Sequence, residues 1–441
     1  MLLNKRLLLS VLVYLSTCSV LSAMHHANRF FPFLERPRPY KIKNFFDFSP
    51  SVFYTNATVA FNNSEDKIPI PLLFGEYNIK DVIDSYQQVT ENIKNQTFTN
   101  PFITIGGAEG NKFIDKTIKY QIQGKVKSAG FALNYEQKLF PPLNKNISLG
   151  FFIPFMQVTS QQSFDFKWDY RSNTQESYTG FEPLQEGEKT LINRVRRKTH
   201  ELIGLTSEDY VEFGAGDLTT YLKYHNEWNY SFLMRSINLD TRFGLIAPMG
   251  KKRDIDSPSS VAFMGDSHWG IYPEITTEFE LREGRRLGLM LGYLYQFKKT
   301  KRLRMPVGNE PFIFSALTGK ASVKPGNVFK ISPYIVWGSL TDGLSGHLRW
   351  THLRHGMDSI TDSRSENEQN SLASNLSAME TFSKWVSNYF TLEAIYDSKE
   401  SMKNWPLKPK FFVTYDFPFD WFKGRRSIRT QQVSFGVELH F

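Results

Sequence analysis

The last nine residues, Val433-Ser434-Phe435-Gly436-Val437-Glu438-Leu439-His440-Phe441, alternate apolar and polar positions without interruption and finish on an aromatic. Successive side chains of a strand point to opposite faces, so one face here carries Val, Phe, Val, Leu and Phe. With the chain stopping there, no following element is expected to cover that face. On a soluble sheet an uncovered apolar face of this kind is a template for aggregation. In a closed membrane barrel the same face meets hydrocarbon and both strand edges are paired. The competing arrangement is the final strand of a soluble sheet, and the rest of the chain decides between them.

Lys5 and Arg6 precede an apolar run from Leu7 to Leu15, and small residues follow up to Ala23. That is the order of a secretory signal peptide, with cleavage expected near Ala23. Cys18 is the only cysteine. The stretch Leu15-Ser16-Thr17-Cys18 partly resembles a lipobox, with Thr17 a poor fit, and a mature chain from about Met24 has no disulfide framework. Outside the signal no run approaches the roughly 18 apolar residues a spanning helix needs. Mean hydropathy is -0.37. A barrel reaches such a value because every second strand residue faces a polar lumen. The aromatic fraction of 15%, with 38 Phe, suits rings that coat a lipid face and its interfaces.

Period-two segments occur at about residues 50–60, 128–139, 147–157, 217–229, 232–246, 268–282, 285–298, 327–340, 344–355, 384–397, 409–418 and 428–441. Leu287, Leu289, Leu291, Tyr293, Tyr295 and Phe297 share one face of a strand, and Phe411, Val413, Tyr415 and Phe417 share one face of another. The connections are more telling. Short ones, at 141–146, 230–231, 283–284, 341–343 and 398–408, alternate with long polar ones at 61–127, 158–216, 247–267, 299–326 and 356–383. Short periplasmic turns and long extracellular loops are what an outer-membrane meander requires. The expected fold is all-β: a single antiparallel up-and-down transmembrane β-barrel of about twelve strands, within about ten to fourteen. Its expected divisions are a signal peptide over 1–23, a periplasmic N-terminal segment over 24–49 and the barrel over 50–441. Asn78–Lys94 and Lys189–Ile203 each carry an apolar stripe at helical spacing, the second stopping at Gly204. These helices are expected either to plug the lumen or to lie over the mouth.

Gly265-Asp266-Ser267 after an apolar run resembles the Gly-Asp-Ser block of GDSL esterases. Such a serine needs an Asp-x-x-His to activate it, and no later aspartate has a histidine three residues on. No catalytic residue, cofactor site or metal site is therefore assigned. Gly106–Gly110 lacks the Lys-Ser/Thr of a P-loop and reads as a loop, and His25-His26 has no partner at metal-ligand spacing. Basic residues gather in the long loops: Arg194, Arg196, Arg197 and Lys198; Lys251, Lys252 and Arg253; Lys298, Lys299, Lys301, Arg302 and Arg304; and Lys423, Arg425 and Arg426. Phosphate-rich lipopolysaccharide is their expected counter-charge, beside membrane lipid, and no nucleic acid is expected. Strand parity turns Asp217, Asp240, Glu274, Glu278, Glu280, Glu393, Asp416 and Glu438 inward, with Lys223, Arg242, Lys330 and Arg349. These are the candidate lumen-lining residues. A passage walled by Glu274, Glu278 and Glu280 would favour cations.

Phe435, Val437, Leu439 and Phe441 resemble the C-terminal signature by which barrel-assembly machinery reads Gram-negative outer-membrane proteins. Gly216-Asp217-Leu218 opens one strand, and the next ends in Pro248-Met249-Gly250. This pair of segments resembles the outer-membrane family associated with the meta-pathway of phenol degradation, with Met249 where that family's pattern would have Thr. The resemblance implies a barrel transporter for small, often hydrophobic, compounds. The expected function is passage or binding of small hydrophobic or cationic solutes in the outer membrane, without catalysis. The alternative is a surface-exposed structural or adhesion barrel with a plugged lumen.

Deleting Phe441 should lower the amount of heat-modifiable, folded barrel in the outer membrane. Assembly of the truncated chain at the parent's level would overturn the reading of the C-terminal signature.

Overall fold

The computed structural model describes residues 29–32, 36, 46–114, 116, 118–139, 146–166, 184–206, 209–230, 234–282, 284–399, 409–419 and 421–441. The expected signal peptide, Cys18 and His25-His26 lie outside the described residues. Twelve long strands form the body: β1 (Phe46–Phe61), β2 (Lys119–Lys138), β3 (Ile147–Phe166), β4 (Leu218–Asn229), β5 (Ser236–Ala247), β6 (Gly270–Arg282), β7 (Arg285–Gln296), β8 (Val328–Thr341), β9 (Leu344–His355), β10 (Trp385–Asp397), β11 (Lys410–Phe417) and β12 (Ile428–His440). Each pairs antiparallel with the next, and β1 pairs with both β2 and β12, so the sheet closes on itself. At the seam Phe46 and Phe441 exchange both backbone hydrogen bonds, at 3.2 and 3.0 Å. Their rings stack at 4.7 Å between centroids.

Alternation along the strands sorts side chains as the sequence pattern demands. Val52, Tyr54, Leu222, Phe243, Ile275, Leu287, Phe329, Leu392, Val413 and Phe435 point out and stay exposed. Inside, aromatic rings lie across glycines of neighbouring strands. Tyr272 covers Gly244 and Tyr334 covers Gly288, where a Cβ would collide with the ring. Interior glycine thus makes room for a second layer of side chains. Both chain ends of the barrel and the short connections share one end, called here the turn end. The connections after β1, β3, β5, β7 and β9 define the loop end.

Three features add to the sequence reading. First, β2 and β3 are each 20 residues long rather than about a dozen. At about 3.3 Å per residue they far exceed an apolar band of about 25 Å, so the hairpin projects beyond the loop end. The alternation there mixes Gln, Lys, Ser and Thr, and period-two apolar counting stops too early. Second, of the two placements open to the loop helices, they lie over the mouth and do not enter the lumen. The helices α1 (Ile79–Asn92), α2 (Pro101–Gly110) and α3 (Glu186–Leu202) share an apolar core with Tyr77, Tyr120 and Ile122 on the projecting hairpin. Asn78 caps α1 by accepting from the Lys80 amide, and Gln185 with Glu188 forms a capping box for α3. The Gly106–Gly110 segment belongs to α2 and not to a plain loop, broken at Gly107, whose φ of +52° suits glycine. A small sheet of Lys299–Arg304, Thr318–Lys324 and Ser359–Asp362 adds to this cap. Third, β1 begins at Phe46, and residues assigned to a periplasmic segment lie inside the barrel. Arg29 and Phe30 bond to Ile428 and Thr430 at the loop end, while Arg36 bonds to Glu438 towards the turn end. Of the described N-terminal residues, called here the strap, Arg29 thus lies at the loop end and Arg36 towards the turn end.

This arrangement changes which positions report topology. Ser259 and Ser315 lie in long loops but are buried, at 3% and 0% exposure. Ser363 is exposed at the loop end, and Asp342 is exposed in the tight turn after β8. A cysteine at Ser363 should label on intact cells with a membrane-impermeant maleimide, and one at Asp342 only after the outer membrane is breached. The reverse pattern would invert the orientation.

Candidate functional site: the barrel lumen

Charged side chains that point inward from neighbouring strands meet as ladders, because directly opposed residues on one face are about 5 Å apart. In the turn half, Glu136 of β2 accepts from Ser148 at 2.5 Å and pairs with Lys223 at 3.3 Å. Lys223 reaches Asp240 at 3.3 Å, and Asp240 holds His225 Nδ1 at 2.7 Å. Further round, Arg242 faces Glu274 at 3.7 Å, and Glu274 also bonds to Lys330. Glu278 accepts from Arg286 and from the Tyr334 hydroxyl, both at 3.2 Å, and Glu280 accepts from Ser236 at 3.1 Å. On the opposite wall Arg349 donates to Thr391 at 3.2 Å, and Thr391 and Gln432 donate to Asp416 at 2.5 and 3.0 Å.

Arg36 ties the strap to this wall. Its guanidinium pairs with Glu393 and with Glu438, the latter at 2.7 Å, and lies 3.8 Å above the centre of the Phe412 ring. His347 Nδ1 closes on Glu393 at 2.6 Å. Burying two carboxylates is costly unless each is paired and hydrogen-bonded, and the strap's arginine supplies both pairings.

Above the charged half, Phe31 of the strap packs with Phe53, Phe152, Met156 and Val126 from the walls. Val261, Phe263 and Met264 dip into the same cluster from the loop after β5. Asp217 holds that loop in place. Its two carboxylate oxygens accept from the Gly250 amide at 2.9 Å and the Gly265 amide at 2.7 Å. The Gly-Asp-Leu and Pro-x-Gly segments thus touch through Asp217 and Gly250. Asp217 acts as a clamp on a loop and is not part of the ladder.

The basic loop clusters separate into two populations. Arg194, Arg197, Lys198, Lys251, Lys252, Arg302, Lys423 and Arg425 are exposed at the loop end. Arg304 is buried instead, donating to the carbonyls of Ile203 and Ser315 at 3.0 and 2.8 Å and to Asp256 at 2.9 Å. Arg196 is buried over the Phe164 ring at 4.0 Å.

Of the twelve sequence-assigned residues eleven are buried and Glu280 is half-buried, Asp217 clamps a loop, and the structure adds Glu136, His225, Arg286, Tyr334, His347 and Arg36 to the interior network. The first five sit at inward positions of the strands and were readable by parity. Arg36 gave no periodic signal. Of the three glutamates, Glu274 and Glu278 are paired with cations, while Glu280 accepts from the neutral Ser236 hydroxyl. Ser267 of the Gly-Asp-Ser segment is buried at 3% exposure, and the neighbouring His268 turns its Nδ1 to the Phe297 carbonyl at 3.0 Å. Among the described residues no group of three or more His, Cys, Asp or Glu is placed to hold a metal.

No protein-family profile and no curated protein matches the chain in sequence. Several solved structures align with it along most of its length. The COG4313 outer membrane channel from Pseudomonas putida F1 aligns with a TM-score of 0.46 at 9% identity, over 92% of this chain and 100% of that one. The transport unit of the autotransporter AIDA-I from Escherichia coli gives 0.36 at 7%, over 93% of each. A mutant of the monoaromatic hydrocarbon channel TodX gives 0.33 at 6%, over 90% of this chain and 91% of that one.

The ladder makes a stability prediction. Lys223→Met leaves Glu136 and Asp240 facing each other without their shared cation, which should cost about 3–5 kcal/mol. Urea unfolding of the refolded barrel in detergent measures this, and adding Glu136→Gln and Asp240→Asn should recover most of the loss. An unchanged midpoint for the single variant would show that the ladder does not stabilise the barrel.

Proposed function

We propose that the protein is an outer-membrane barrel that binds and passes small solutes through a lumen closed at rest by its own N-terminal strap, without catalysis. The observation that carries this reading is the pairing of an exposed apolar outer face with a polar, densely hydrogen-bonded interior. Only a membrane makes that inversion favourable, since each outward Val, Phe or Leu would otherwise expose apolar surface at about 25 cal/mol per Å². In this orientation the turn end is periplasmic and the loop end extracellular. The exposed arginines and lysines of the loop end then face the phosphates of lipopolysaccharide, and the terminal strand with Phe441 meets the assembly machinery. The contact between Asp217 and Gly250 supports kinship with the meta-pathway family within this proposal.

The strap favours a gated passage over a permanently open pore. Its described residues, 29–32 and 36, are held by ion pairs and hydrogen bonds and belong to no strand, so they can leave without unpairing one. The second reading, a structural or adhesive barrel, draws on the same filled lumen. Planar-bilayer recording separates them. The parent protein should show rare, small openings, and a chain whose mature part starts after Arg36 should show a conductance several times larger and more often open. Arg36→Ala should lie between. If the shortened, folded barrel stays silent, the lumen is not a passage and the structural reading stands.

A further inference from the structure

Beneath the loops, above the Phe31 cluster, lies a cavity of about 250 Å³. The strap contributes Arg29 to it, and the loops after β5 and β7 contribute Arg253, His268 and Lys301. Phe74, Phe312, Phe382 and Trp385 form much of its wall. The Arg253 guanidinium is held between two of these rings, 5.2 Å from the centres of both Phe74 and Phe312. Burial pulls it down to about 10, against the attraction of Asp266, so it stays charged. Arg29 donates through Nη2 to the carbonyls of Phe382 and Ser383, both at 3.1 Å.

Three further observations point to a ligand. Arg29 Nη1 and His268 Nε2 are buried and have no hydrogen-bond partner, a costly state for groups of this kind. The backbone is strained where the Gly-Asp-Ser segment lines the cavity: φ is +147° at Met264, +47° at Asp266 and +75° at Ser267. Residues in that region persist where the surroundings enforce them, typically at binding sites. The charges do not balance. Among the described lining residues, Arg29, Arg253 and Lys301 face two carboxylates, Asp266 and Asp358, with Asp266 engaged by Lys301 and by the Arg253 amide at 3.1 Å. His268 adds nothing positive near neutrality, since burial and the nearby Lys301 bring it down to about 4.

We propose that this cavity is a binding site for a small aromatic monocarboxylate, whose carboxylate sits between Arg29 and Arg253 and whose ring enters the aromatic wall. Two guanidiniums match a planar carboxylate in shape and charge. The surrounding rings supply apolar contact that a hydrated inorganic anion could not use. The size excludes long acyl chains. His268 Nε2, a bare acceptor, is open to a ring hydroxyl or a bridging water. The site lies where a solute entering from the loop end first meets the strap, so the proposal rests on the uptake reading and gives it a solute class.

The test is isothermal titration of the full-length folded protein in detergent, which needs no conduction. Benzoate is the probe; benzyl alcohol and benzylamine share its ring but carry no charge and a positive charge, and acetate shares only the head. Benzoate should bind at least about tenfold tighter than each of the other three. Arg253→Met should weaken benzoate by at least about tenfold while Arg253→Lys loses less. Phe312→Ala should weaken benzoate but not acetate. Heat-modifiable mobility checks that each variant is folded. Equal binding of benzyl alcohol, or no saturable binding of benzoate by the parent, overturns the proposal whatever the variants do. Benzoate binding by a barrel that never conducts would retain this site and overturn the uptake reading. Conduction without benzoate binding would do the opposite.

Discussion

Closure of the sheet through β1 is the constraint on which the rest depends. A strand edge in hydrocarbon leaves amides and carbonyls without partners, each costing several kcal/mol. Here β1 meets β2 along one edge, from Phe46 opposite Gln137 to Ala57 opposite Val126, and β12 along the other, from Asp47 opposite His440 to Ala60 opposite Ile428. The seam is reinforced where the ends meet, by the Phe46–Phe441 stack and by His440 Nδ1 at 2.7 Å from Asp47. Once the ring is closed, parity leaves no freedom. Every second residue of every strand must be acceptable to lipid, and the others must be satisfied within a narrow interior.

That interior explains the charges. Inward carboxylates and cations have little water to turn to, so each is useful only beside a partner on the adjacent strand. The pairings step across strands: Glu136 to Lys223 to Asp240, Arg242 to Glu274 to Lys330. On the β9 to β12 wall one cation from outside the sheet, Arg36, pairs with both Glu393 and Glu438. Arg36 thereby makes the strap part of the electrostatic completion of the barrel. Removing Arg36 would take a buried cation from both Glu393 and Glu438 at once.

Much of this was legible in the sequence. The exposed Leu287 and Tyr293 and the buried Glu274 and Lys330 follow from a period of two, which survives in a barrel because no tertiary packing competes with it on the lipid side. Alternating connection lengths located the two ends. The α1 start was legible at Asn78, whose side chain does cap the helix. What escaped has physical reasons as well. The projecting halves of β2 and β3 are stabilised by the cap, a long-range association that leaves no local apolar pattern. Arg36 acts from an aperiodic segment, and nothing near it in sequence reveals its pairing with Glu393 and Glu438, far along the chain. Arg253 and Arg304 read as surface charges because a cluster of basic residues looks the same whether its members point to solvent or to buried carbonyls.

The clamp at Asp217 joins these levels. One carboxylate fixes both Gly250 and Gly265, the two ends of the loop that carries Val261, Phe263 and Met264 into the lumen and Arg253 and His268 to the cavity above it. Adding a Cβ at Gly250 would place it 2.8 Å from Asp217 Oδ1, so the glycine is needed for the clamp to close. The same loop therefore forms the floor of the cavity and part of the apolar constriction, against which Phe31 of the strap rests. Arg29 lines that cavity and Arg36, seven residues on, pairs with Glu393 and Glu438, so one stretch of sequence supplies a cation to both places.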